Sequence, residues 1–116
     1  MPRRFNERLH DILDAITQIE RLSDGQTSTS LETNPIYRAA FERFVEIISE
    51  ASRHIPDAAK ATQPQIPWRR IADIGNHLRH GYETIEFEIL WKLVTEHELE
   101  ALNAAIVVMK DKAKEG

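Results

Sequence analysis

Asp73, Asn76, His77 and His80 recur at steps of three, one and three residues, and each can take part in acid–base, phosphate or metal chemistry. At about 100° per residue they share one side of a helix, with Ile71, Ile74, Leu78 and Tyr82 on the opposite side. Histidine exchanges protons near neutral pH, and asparagine can orient such a group or a phosphate oxygen. The Asp73, His77, His80 spacing can also converge on a divalent ion, although a mononuclear site usually needs more ligands than are evident. A solvated helix face has the same pattern, so the stripe alone does not identify a function. With no cysteine, no Gly-x-Ser-x-Gly elbow and no glycine-rich loop opening a helix, thiol, serine-hydrolase and nucleotide-loop chemistries are poor candidates.

The helix bearing these residues should begin near Pro67 and carry Ile71, Ile74, Leu78 and Tyr82 inward until Gly81 loosens or ends it. Upstream, Phe5, Leu9, Ile12, Ile16 and Ile19 paint one face of a helix over Arg4 to Leu22, ended by Ser23-Asp24-Gly25. The polar stretch from Gly25 to Asn34 reads as a loop. Asn34-Pro35 then caps and starts a helix to about His54 that should bury Ile36, Ala40, Phe44, Ile47 and Ala51. Pro56, Pro64 and Pro67 leave room for only a short helical turn between them. Ile85 to Val94 and Glu98 to Met109 read as two further helical segments, kinked around Thr95-Glu96-His97.

No stretch alternates with period two, so the fold class is all-α: an up-and-down bundle of about four or five helices, with residues 1–116 forming one domain. The 41% hydrophobic and 29% charged content is that of a globular chain. A net charge of -4 argues against broad adhesion to nucleic acid, so any RNA contact should be local. The N-terminus shows no secretory pattern and no apolar run approaches ~18 residues, which with the missing cysteine suits a cytoplasmic protein without a membrane span.

The segment from Ile66-Pro67-Trp68 through Asn76, His80 and Tyr82, together with Ile85-Glu86, Leu90-Trp91 and the upstream Ile47-Ile48-Ser49-Glu50-Ala51, resembles the HepT-like family. These are HEPN-fold ribonuclease toxins paired with a minimal nucleotidyltransferase antitoxin, and the resemblance runs from about Tyr37 to Ile106. The family motif is an arginine, usually followed by asparagine, with a histidine five positions after the arginine and a tyrosine two further on. Asn76, His80 and Tyr82 fall on the pattern; Gly75 stands at the arginine's position, and Ser49 where a glycine is usual.

The resemblance implies a homodimer with facing motif helices that cleaves RNA without metal or other cofactor. His80 would serve as acid or base, Asn76 as positioning group and Arg79, one turn beyond Gly75, as replacement phosphate clamp, with Asp73 and His77 as a supporting polar face. Tyr82 would be the residue that the partner nucleotidyltransferase adenylylates to silence the toxin. The alternative is a catalytically silent HEPN module that dimerises or engages the nucleotidyltransferase, which the glycine at position 75 favours. Substitution of a helical glycine is expected to be tolerated, or stabilising by up to ~1 kcal/mol, unless the backbone packs closely there.

Overall fold

The computed structural model describes residues 2–80 and 87–115, with side chains described over 4–78 and 87–113. Every regular element among the described residues is helical: α1 (Pro2–Ser23), α2 (Ser28–Glu32), α3 (Pro35–Arg53), α4 (Asp57–Lys60), α5 (Trp68–His80), α6 (Phe87–Thr95) and α7 (Glu98–Glu115). The five longer helices match the expected number, and α2 and α4 are single turns beside them.

The first helix follows its periodicity, for Leu9, Ile12, Ile16 and Ile19 are fully buried. It ends where glycine allows the chain to turn, with Gly25 at φ 73. The stretch expected to be a loop instead contains α2. Thr27 accepts from the Ser30 N–H and Ser30 Oγ accepts from the Thr27 N–H, a reciprocal cap that suits this polar run, and Leu31 is driven fully into the core.

Helix α3 begins as expected. Asn34 Oδ1 accepts from the N–H groups of Ile36 and Tyr37 at 3.1 and 3.2 Å, and Pro35 occupies the first turn. Of the five positions expected inside, Ala51 is buried and the other four are not. Phe41, Val45, Ile48, Ser49, Ala51 and Ser52 are buried, Phe44 and Ile47 lie at the edge of the core, and Ile36 is 77% exposed. Two apolar stripes run along α3, one residue apart, and periodicity does not choose between them. Packing chooses the one beginning at Phe41, whose ring meets Phe87 edge-on at 5.1 Å.

Between α6 and α7 the chain breaks rather than kinks, with His97 in the left-handed region at φ 60 and its N–H donating to Val94 O. Helix α7 continues to Glu115, beyond the expected end at Met109. Ile85, expected to open the helix before this break, and Tyr82, expected to point inward, lie outside the described residues.

Candidate active site

Helix α5 is anchored at its start. The Trp68 indole N–H donates to Gln63 O at 3.1 Å, Ile66 and Gln63 are buried beneath the turn, and Arg70 pairs with Glu98 at the start of α7. Along its length Ile74 is buried and Ile71 and Leu78 pack half-buried against the core, so the inward face is the one the wheel indicates.

The contact with α3 is made through small residues. Ser49 Oγ donates to Ala72 O at 3.0 Å, and Ser52 Oγ donates to Ser49 O at 2.7 Å. A Cβ placed on Gly75 would stand 2.1 Å from Ser49 Oγ and 2.4 Å from Ser49 Cβ. The exception attached to the expectation for position 75 therefore applies: the backbone packs closely there, and a side chain is not accommodated without a shift. The gain in helix propensity requires free space, and here the neighbouring helix fills it.

On the outward face Asp73 and His77 are exposed and Asn76 is half-buried. Arg79 and His80 complete the last turn of α5, but their side chains lie outside the described residues, as does all of Tyr82. Three of the candidate residues thus share one exposed helix face, and the backbone of α5 continues through two more. Sequence reasoning passed over Arg69, which is exposed and lies about 20° around the helix from Asn76 and about 10 Å along it. The same helical wheel that groups Asp73, Asn76 and His77 would have found it.

Among the described residues no group of three or more His, Cys, Asp or Glu could hold a metal ion. A cavity of about 340 Å³ lies on the other side of α5, walled by Ile48, Ile66, Ile71, Ile74 and Leu102, and so does not receive the polar face.

A family model described as "Ribonuclease HepT-like" matches residues 12–109. The chain belongs to the HepT-like ribonuclease family. A Thermococcus cleftensis protein named as a probable ribonuclease HepT is 35% identical over 96 residues, covering 83% of this chain and 87% of that protein. A Methanocaldococcus jannaschii protein named provisionally as an RNase is 33% identical over 88 residues, covering 76% and 81% of the two chains. A Caldanaerobacter subterraneus protein, also named provisionally as an RNase, is 29% identical over 93 residues, 80% of each chain. No solved structure matches the chain. The HepT-like match includes the whole of α5 and the face of α3 on which it rests.

Proposed function

We propose that this HepT-like chain is a metal-independent endoribonuclease and the toxin of a toxin–antitoxin pair. In this reading it works in the cytoplasm as a homodimer and is silenced when a partner nucleotidyltransferase adenylylates Tyr82. The observation that carries it is the family match over residues 12–109, which takes in a helix whose outward face bears Asp73, Asn76 and His77 and whose last turn bears Arg79 and His80.

The chemistry needs few groups. The ribose 2′-oxygen attacks the adjacent phosphorus, and the P–O5′ bond breaks as the new P–O2′ bond forms. The 2′-hydroxyl gives its proton to a base and the departing O5′ takes one from an acid. His80 serves this proton traffic, Asn76 positions the phosphate, and Arg79 offsets the charge that builds on its oxygens. An exposed stripe on one helix cannot enclose a phosphate, and a second copy facing it supplies the other wall, which supports the homodimer.

A second reading, a silent HEPN module that dimerises or engages the nucleotidyltransferase, is favoured by the absence of any side chain at position 75 and by the tight enclosure of Gly75 against Ser49. Cleavage of a labelled RNA by purified, unmodified protein in the presence of a chelator separates the two. Activity in the parent that is lost in His80→Ala supports the ribonuclease, and equal inactivity of both folded proteins supports the silent module.

A further inference from the structure

We propose that Ser49 and Gly75 form an interlocking pair that sets the seat of α5 on α3, so that Ser49 is a positioning residue for the polar face carried by α5. The functional consequence rests on the ribonuclease reading above; the mechanical pairing does not.

Three observations carry it. The nearest neighbours of a Cβ at position 75 are ordered Ser49 Oγ at 2.1 Å, Ser49 Cβ at 2.4 Å and Ser49 Cα at 3.8 Å. The hydroxymethyl group of Ser49 therefore occupies the volume that a side chain at 75 would need, whereas a bare Cα at position 49 would make an ordinary contact. Any residue with a Cβ at 49 thus excludes any residue with a Cβ at 75, unless the helices part by roughly 1 Å.

The same serine also grips α5 chemically, through its hydrogen bond to Ala72 O. In an α-helix the carbonyl of residue 72 accepts from the N–H of residue 76, so the Ser49 hydroxyl shares its acceptor with the Asn76 backbone amide. Ser49 is itself held, being 1% exposed, with its carbonyl accepting from the equally buried Ser52 hydroxyl. Burial leaves the Ser49 hydroxyl little access to water as an alternative partner.

The pairing makes a reciprocal demand: position 75 can gain a side chain only where position 49 gives one up. Ser49→Ala keeps the Cβ and does not relieve the clash, whereas Ser49→Gly does. The test places Gly75→Ala in three full-length backgrounds, the parent, Ser49→Ala and Ser49→Gly, and reads thermal midpoints. Gly75→Ala should lower the midpoint by about 5–10 °C in the first two and leave it unchanged or raised in the third. An equal drop in all three, or none in the parent, overturns the pair.

The positioning role has its own readout, the backbone amide resonance of Asn76. It should move in Ser49→Ala, which removes the hydroxyl and keeps the Cβ, and an unmoved resonance contradicts that role. Ser49→Gly/Gly75→Arg should also cleave RNA at least 10-fold faster than Gly75→Arg alone, since only the former can seat the arginine without displacing the helix. If the thermal coupling is present and no variant, parent included, cleaves RNA, the pair stands and the ribonuclease reading fails; if the coupling is absent, the pair fails whatever the activity.

Discussion

Arg69 extends the polar face of α5 toward the start of the helix, and its separation of about 10 Å along the axis from Asn76 suits a neighbouring phosphate rather than the reacting one. Arg69→Ala is expected to raise KM while leaving kcat nearly unchanged, and to flatten the dependence of log KM on log salt concentration by roughly 0.7, the share of one phosphate contact on a single strand. Steady-state cleavage at several ionic strengths reads both. Asp73, Asn76 and His77 were legible as one face because helical spacing is a local property of the sequence. The closeness of Ser49 and Gly75 was not: it depends on how two helices separated by a proline-rich connection cross, and no periodicity records that distance. The family motif drew attention to the missing arginine, and only the packing shows that a serine has taken the space.

Helix boundaries carry their own signals, which explains why α3 begins as its sequence indicates. Asn34 accepts two backbone N–H groups and is followed by proline, a combination that depends on adjacent residues alone. Asn34→Ala should therefore cost about 1 kcal/mol in urea unfolding with an unchanged m-value. Helix α2 escaped notice because a Ser- and Thr-rich run has poor helix propensity, and the reciprocal Thr27–Ser30 cap with Leu31 buried below offsets that deficit. On α3 Ala51 is buried as expected, but toward the start of the helix the buried stripe lies one residue from the expected one, since Ala40-Phe41, Phe44-Val45 and Ile47-Ile48 offer two adjacent apolar faces. Contact with Phe87 and with α5 decides between them, and that decision is tertiary.

For the whole molecule, a net charge of -4 leaves little general attraction to RNA, so the proposed function requires binding concentrated at the polar face of α5 and, in the proposed homodimer, its counterpart in a second copy. Light scattering at micromolar concentration should give the mass of a dimer, and a monomer alone would remove the second wall on which the proposed cleft depends. With the nucleotidyltransferase and ATP present, the intact mass should rise by one or more AMP units, and Tyr82→Phe should abolish the increase. In the proposed reaction this HepT-like chain breaks RNA by 2′-hydroxyl attack using His80 and no metal. The measurement that tests it most directly is end-group analysis of a labelled RNA incubated with the purified, unmodified protein and a chelator. Fragments ending in 2′,3′-cyclic phosphate, with 5′-hydroxyl partners, are expected from the parent and none from His80→Ala. Intact RNA in both reactions, or the same fragments from both, would contradict it.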